Sequence, residues 1–273
     1  MPQATDPTDP RSLIRRSRFP IDELESDAGR ALVAECRARV RDTDACELED
    51  FLTEEATAQL ARDVAAVADL AHRHEGKSTP YLELPGDEWS EDHPRRRWGD
   101  YSLAALAYDR TPDSLRALYT WDALTEFVRR VLDLPEIHPY ADPLGACSVA
   151  VMEDGDALNW HFDQSDFVVS IALQASTAGG DFFYTPKVRT PTDEHYAEVA
   201  RVLGGDTRHV VRIPMRPGTL VLFQGRYSMH RVSAIRGETQ RLVALLSYDT
   251  KPGTCASPLL QQARYGRVQR PST

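Results

Sequence analysis

The chain has 273 residues, 41% hydrophobic and 27% charged, which bounds it to one large domain or one domain with an added helical layer. Its net charge of −10 excludes the basic face that phosphate binding needs, so nucleic acid is not an expected partner and the acidic surface reads as a solubility device. No apolar run approaches the roughly 18 residues of a membrane span, the first ten residues are rich in Pro and Asp, and Cys36, Cys46, Cys147 and Cys255 form no Cys-x-x-Cys pair; the expectation is a cytoplasmic protein with reduced thiols.

In chain order, residues 1–20 are expected to form a flexible tail, 21–142 a helical support, and 143–273 a catalytic β core with a C-terminal tail, all in one integrated domain. Between 21 and 41, Leu24, Ala28, Leu32, Cys36 and Val40 recur with a period near four, which predicts a helix with one buried stripe. Thr53 is placed to cap a second helix, with Glu54 and Glu55 in its electropositive first turn and Leu60, Val64, Val67 and Leu70 on its apolar face. Residues 77–98, rich in Pro, Gly and charge, predict a long loop; 121–132 predict a third helix through Leu124, Phe127, Val128 and Val131.

After Pro143 the pattern changes to short strands, at 147–152, 158–161, 167–174, 181–185, 209–213, 219–223, 228–232 and 241–249. Asp154-Gly155, Gly179-Gly180, Gly204-Gly205, Pro217-Gly218 and Arg236-Gly237 punctuate them, and 191–203 suit one inserted helix. Eight strands that require no intervening helices predict an α+β, mainly β chain. Its core would be a double-stranded β-helix, a jelly roll of cupin-like form, with a helical N-terminal support.

Three polar residues sit at the ends of these strands. His161 and Asp163 bracket one strand end, where i, i+2 spacing on an extended chain points both side chains the same way, and His230 lies on the seventh strand. Two imidazoles and a carboxylate make the facial triad that holds Fe(II) and leaves one face open. Arg241, at the head of the eighth strand, offers the fixed guanidinium fork that a dicarboxylate co-substrate needs. A His-x-Asp/Glu pair is expected about once by chance in this composition, so the β-rich context and the later His and Arg carry the information. Arg231 competes as the anchor, but its neighbour His230 points to the metal, so strand alternation turns Arg231 away.

From Val149 to Gly253 the chain resembles the Fe(II)/2-oxoglutarate-dependent dioxygenases that act on free amino acids, the group of the lysine radical halogenases and their hydroxylase relatives. The matching text is Val151-Met152, Gly155, Trp160-His161-Phe162, Asp166-Phe167 and Gly179-Gly180-Asp181, then Gly225-Arg226, His230-Arg231-Val232, Arg241-Leu242-Val243 and Ser247-Tyr248-Asp249-Thr250. The resemblance implies Fe(II) held by His161, Asp163 and His230, 2-oxoglutarate chelating the metal with its 5-carboxylate on Arg241, and O2 as oxidant. It further implies that the halogenases carry Gly where this chain has Asp163, which frees a metal site for chloride. With the carboxylate present, the implied outcome is hydroxylation of a free L-amino acid, lysine or another basic one first, with succinate and CO2 as co-products.

Substrate contacts are expected from Asn159, which shares a strand face with His161 by parity, and from Gln164 and Asp166 after the ligand pair. Trp98 is a candidate lid and Tyr265 a candidate aromatic wall. Each has a plainer reading: Asp166 as a turn residue, Trp98 as a packed aromatic beside a solvated basic run, Tyr265 as an anchor for the tail. His72, His74, His93, His138, His195 and His209 have no partner at ligand spacing and are read as structural or exposed. Two alternatives stay open: the same iron chemistry on a carrier-bound or other natural-product substrate, and a cupin-like metal-binding protein without turnover. A homodimer through the helical half is compatible with the pattern, though no exposed seam marks one.

Overall fold

The computed structural model describes residues 9–271. Helix α1 (Pro10–Leu13) is capped by Asp9, whose carboxylate accepts a hydrogen bond from Arg11 N at 3.0 Å. Residues 9–20 therefore depart from the expected flexible tail. Leu13, Ile14 and Phe19 are buried, Phe19 against Phe51 at 5.7 Å between ring centroids, and Ile14 bridges to Leu52. Burying three large apolar side chains outweighs the entropy of ordering so short a segment. The rest of the expected tail, residues 1–8, lies outside the described residues.

Helix α2 (Asp27–Thr43) begins later than the expected residue 21 because Ser26 caps it, accepting from Gly29 N at 3.0 Å. A Cβ on Gly29 would stand 2.3 Å from Glu23 O, so the glycine lets the preceding turn fold over the helix start. The buried stripe is accordingly Gly29, Val33, Cys36 and Val40. Strand β1 (Ala45–Leu48) follows, then α3 (Glu54–Ala65), capped by Thr53 as its sequence predicts, with Thr53 Oγ1 accepting from Ala56 N at 3.1 Å. Next come β2 (His72–Ser78), β3 (Gly99–Leu106), α4 (Asp113–Tyr119), α5 (Asp122–Val131) and β4 (His138–Pro139). The region 21–142 is thus not purely helical: β1, β2 and β3 join the main sheet. Strand β2, His-Arg-His-Glu-Gly-Lys-Ser, has no apolar alternation to announce it; it is an edge strand held by pairing to β3, and its charges protect that edge.

The eight predicted strands are β5 (Cys147–Met152), β6 (Leu158–His161), β7 (Val168–Gln174), β8 (Phe182–Thr185), β9 (Val211–Ile213), β10 (Leu220–Phe223), β11 (Met229–Val232) and β12 (Arg241–Leu246). Helix α6 (Tyr196–Leu203) separates β8 from β9, and β13 (Tyr248–Asp249) and α7 (Pro258–Tyr265) complete the chain. Among the described residues eleven strands form one curled antiparallel sheet in the order β1-β10-β7-β12-β5-β3-β6-β11-β8-β9, with β2 on the outer side of β3. Its outer face, through Val149, Val151, Ile171, Leu173, Leu222 and Leu242, packs under Val33, Cys36, Leu60, Leu118, Phe127 and Val128 of the helices. Its inner face closes on itself: Ala45, Ala172, Val221, Phe223 and Val243 from one side meet Tyr184 and Ile213 from the other. Strands β5, β7, β10 and β12 are covered on both faces, which explains their near-continuous apolar runs. This is the double-stranded β-helix.

Asp156, 1% exposed, holds the β5–β6 turn to the edge strand. It accepts from Glu153 N at 2.9 Å and from Arg73 Nη1 at 3.2 Å. Burial alone would raise its pKa, but the Arg73 guanidinium and the Glu153 N–H outweigh that and hold it below the usual carboxylate range. A depressed folded pKa contributes stability above the unfolded pKa and loses it as pH falls through the folded value. Asp156→Asn is therefore expected to cost about 2 kcal/mol at neutral pH. Urea unfolding of both proteins should show the gap closing below about pH 4; a gap independent of pH would refute the assignment.

Candidate metal centre

Strand β6 ends at His161, and β11 pairs with it antiparallel so that His230 stands directly opposite. Val232 then faces Leu158, so Asn159 and Trp160 of β6 together oppose Arg231 of β11: a β-bulge. The bulge places Leu158 in the inner apolar cluster with Leu103, Met152 and Val232, while His161 still meets His230, their rings 4.2 Å apart. Asp163 follows where the strand has ended, its N–H donating to Gly225 O at 3.0 Å in the β10–β11 turn. The ligand atoms of His161, Asp163 and His230 all lie within 4.8 Å of one another, with Asp163 Oδ1 3.4 Å from His230 Nε2.

Both imidazoles are held alike. Nδ1 of His161 meets Asn159 O at 2.7 Å, and Nδ1 of His230 meets Ser228 O at 3.0 Å. A carbonyl only accepts, so Nδ1 carries the proton and each Nε2 presents a lone pair inward. Burial, reinforced by the His230 imidazole, pushes His161 down to about 4, so it is neutral near pH 7. For His230 burial acts in the same direction, but the Asp163 carboxylate outweighs it and raises the pKa. The same pairing overcomes burial at Asp163 and lowers its pKa. Among the described residues Asp163 Oδ2 is buried without a hydrogen-bond partner. An orphaned carboxylate oxygen beside two inward Nε2 lone pairs is the donor set of a divalent metal, and the residues fit Fe(II).

Gly225 makes room for that carboxylate. A Cβ there would stand 1.7 Å from Asp163 Oδ2 and 2.6 Å from its Cγ. The conflict is with the end of a flexible side chain, so Gly225→Ala is expected to fold while swinging the carboxylate out of place. Divalent-metal affinity, measured by Co(II) titration, should fall about 10–100-fold with little change in melting temperature. Wild-type affinity in that variant would show that Asp163 does not need the position it occupies.

Arg241 opens β12 opposite Met152 and is 5% exposed. Its Nε donates to Gly180 O at 2.9 Å, and Nη1 contacts Met152 Sδ at 3.6 Å. Gly180, at φ +71°, is required here: a Cβ would press on the Arg241 stem at 2.8 Å. Burial pushes the guanidinium down to about 10, against the opposing charge of Asp181, which is itself bonded to Arg212 at 2.9 Å. Among the described residues Arg241 has no ion pair of its own, and a buried cation in that condition calls for an anionic ligand. Met152 belongs to one apolar cluster with Leu103, Val232 and Ile235, packed against Phe182, whose ring centroid is 5.4 Å from that of His230. A dry wall thus connects the metal histidine to the arginine.

The remaining expectations fare unevenly. Asn159 packs its amide over Gly99, where a Cβ would meet Nδ2 at 1.2 Å, and its carbonyl supports His161. Gln164 is exposed and its carbonyl accepts from Arg226; Asp166, also exposed, pairs with Arg226 at the rim. Trp98 is 49% exposed, immediately before β3. Tyr265 is not a pocket wall: it is buried with Ala105, Ala107 and Leu144, anchoring α7 by its apolar ring. Arg231 turns outward as expected, stacked 5.1 Å from the Trp160 ring and 5.0 Å from the Phe183 ring. Sequence reading missed the outer brace of the ligand arm. Phe162 N donates to Pro80 O at 2.7 Å, its ring lies 5.4 Å from Tyr81, and Arg189 stacks on it at 4.2 Å. Glu194 joins Arg189 (3.2 Å) to Arg95 (3.4 Å), which covers Tyr81. Nothing in the linear pattern links residues 81, 95, 162, 189 and 194.

The sequence matches the protein family described as Halogenase D over residues 28–258. The chain belongs to that family. No curated protein matches it. Its fold is that of solved 2-oxoglutarate/Fe(II) oxygenases. An oxidoreductase of the 2OG-Fe(II) oxygenase family from Burkholderia pseudomallei is 17% identical, with a TM-score of 0.50, over 86% of this chain and 94% of that one. The non-heme alpha-ketoglutarate-dependent epimerase SnoN from nogalamycin biosynthesis is 16% identical, TM-score 0.52, over 81% and 83%. A prolyl hydroxylase from Trichoplax adhaerens is 15% identical, TM-score 0.54, over 81% and 90%. A hydroxylase and an epimerase on one fold show that the fold does not choose the reaction. Family, fold and the His-Asp-His cluster together support Fe(II), 2-oxoglutarate and O2 as the cofactors of this Halogenase D member. Among the described residues no helix is long and apolar enough to cross a membrane.

Proposed function

We propose that this enzyme hydroxylates an unactivated C–H bond of a free L-amino acid, with lysine or another basic amino acid as the first candidate. The observation that carries the reaction type is Asp163. Although the family is described by halogenation, the third protein ligand is present, seated against Gly225 with Oδ1 3.4 Å from His230 Nε2. A carboxylate there takes the place that a halide would need. The amino-acid class rests on the sequence resemblance between Val149 and Gly253.

Bound Fe(II) with 2-oxoglutarate supplies the oxidant: one atom of O2 enters the product hydroxyl, the other enters succinate, and CO2 leaves. The protein's own residues do the rest. Asn159 O and Ser228 O fix the tautomers of His161 and His230, so both Nε2 atoms face the metal. Arg241, immobilised by Gly180 O, provides the charge for the distal carboxylate of the co-substrate and sets its reach. The Leu103, Met152, Phe182 and Val232 side chains keep water from the space along that path, which protects the oxidant from side reactions.

The test is anaerobic reconstitution with Fe(II) and 2-oxoglutarate, followed by O2 exposure with each free L-amino acid and ornithine. Mass spectrometry would follow succinate and any product one oxygen atom heavier. Such a product from a basic amino acid supports the proposal. Succinate without it keeps the iron chemistry and moves the substrate to another class, and a chlorinated product in chloride buffer would overturn the role given to Asp163.

A further inference from the structure

The β10–β11 turn, residues 224–228, supports two of the three ligands: Gly225 O accepts from Asp163 N and Ser228 O accepts from His230 Nδ1. Both ends of that turn are held by one residue from the helical layer, Asp44, 5% exposed at the C-terminus of α2. Its backbone carbonyl accepts from Gln224 N at 2.8 Å, continuing the β1–β10 ladder one step beyond Ala45 and Phe223. Its Oδ2 accepts from Ser228 Oγ at 2.6 Å and from Lys187 N at 3.1 Å, and Lys187 N also lies 3.1 Å from Ser228 Oγ.

The left-handed backbone of Asp44, φ 59°, is accounted for by capping: its N–H returns to Val40 O at 2.8 Å, a position that suits Asp or Asn. Capping needs no buried side chain. Yet the carboxylate is directed inward, away from water and, among the described residues, without an ion pair, which is a costly placement. What it contacts is the turn behind the metal centre.

We propose that Asp44 is a positioning residue for the metal centre, clamping the 224–228 turn through Ser228 so that His230 and Asp163 hold their ligand geometry. This rests on the reading of His161, Asp163 and His230 as a metal site. The path is short and continuous: Asp44 carboxylate, Ser228 hydroxyl, Ser228 carbonyl, His230 imidazole. It makes helix α2 part of the centre although α2 contributes no ligand.

The test uses Co(II) as an inert spectroscopic probe, titrated into wild-type protein and the Asp44→Ala, Asp44→Asn and Ser228→Ala variants, with folding followed by circular dichroism. Wild type is expected to bind Co(II) with visible ligand-field bands. Asp44→Ala should bind about 10–100-fold more weakly with altered bands, the usual scale for losing the support of a metal-bound histidine. Asp44→Asn keeps an acceptor oxygen for both Ser228 Oγ and Lys187 N and should restore affinity to within about threefold, which a role for the charge alone would not allow; Ser228→Ala, which leaves the Asp44 side chain in place, separates the hydrogen bond from packing. Should Asp44→Ala fail to fold, Ser228→Ala decides, because it releases the clamp and leaves the 228 carbonyl on His230; about tenfold weaker binding is expected. A folded Asp44→Ala, or failing that Ser228→Ala, with wild-type affinity and spectrum overturns the proposal. If wild type itself does not bind Co(II), the metal-site reading fails and this inference with it.

Discussion

His230→Ala and His161→Ala, reconstituted anaerobically with Fe(II) and 2-oxoglutarate, are each expected to form succinate roughly 10⁴-fold more slowly than wild type on O2 exposure, the scale of removing one member of an interdependent catalytic set. The two should be no worse together than singly, since losing either ligand already dismantles the site. The geometry makes this demanding. His161 and His230 face each other across the β6–β11 pair with rings 4.2 Å apart, and each has its Nδ1 tied to a carbonyl and offers one Nε2, so neither can substitute for the other. Inductively coupled plasma analysis of the same samples should show iron lost in parallel. Normal iron content with lost turnover would make the residues catalytic but not ligands; retained turnover would sink the metal-centre reading.

Arg241→Met carries the second large effect, and it is two-sided. The guanidinium is 5% exposed with a carbonyl and a thioether as its neighbours and, among the described residues, no carboxylate partner. Without co-substrate the variant should melt no lower than wild type, because an unpaired buried cation is exchanged for a side chain of similar length that suits the apolar surroundings. With co-substrate the order reverses. Breaking a buried guanidinium–carboxylate pair costs about 3–5 kcal/mol, so the Kd for 2-oxoglutarate should rise on the order of 10²–10³-fold. Wild type at about 100 times its Kd gains about 2.7 kcal/mol from the ligand, and the variant at that concentration should gain far less. Calorimetry with Mn(II) as an inert metal and thermal melts with and without 2-oxoglutarate measure both. An unchanged Kd would remove Arg241 from the co-substrate site.

The β core was legible because its strands are short apolar runs cut by glycine-bearing turns: seven of the eight predicted strands lie within two residues of their expected bounds, while the eighth, expected to run to residue 249, ends at Leu246 and its last residues pair with β4 as β13. The helical half was read less well, for reasons that are physical. Strand β2 is polar and exists by pairing to β3. Helix α1 is four residues long and is held by Leu13, Ile14 and Phe19, whose partners lie elsewhere in the chain. Parity arguments stopped at the β6 bulge, since one inserted residue reverses every face beyond it. Tyr265, an aromatic near the C-terminus, looked equally suited to a pocket wall or a packing anchor, and only its neighbours Ala105, Ala107 and Leu144 distinguish the two.

By itself the sequence determined the chemistry on offer: two histidines and an aspartate at strand ends, and an arginine at the head of a later strand. These are properties of residue type and local periodicity, which a linear reading can access. Tertiary structure alone decided how those groups are held. The pairing of His161 with His230, the space that Gly225 leaves for Asp163, the contact of Gly180 with Arg241 and the inward turn of Asp44 onto Ser228 all join segments distant in the chain. Such contacts arise from the closure of the sheet and the docking of α2 beside it, and no local pattern encodes the distance between residues 44 and 228.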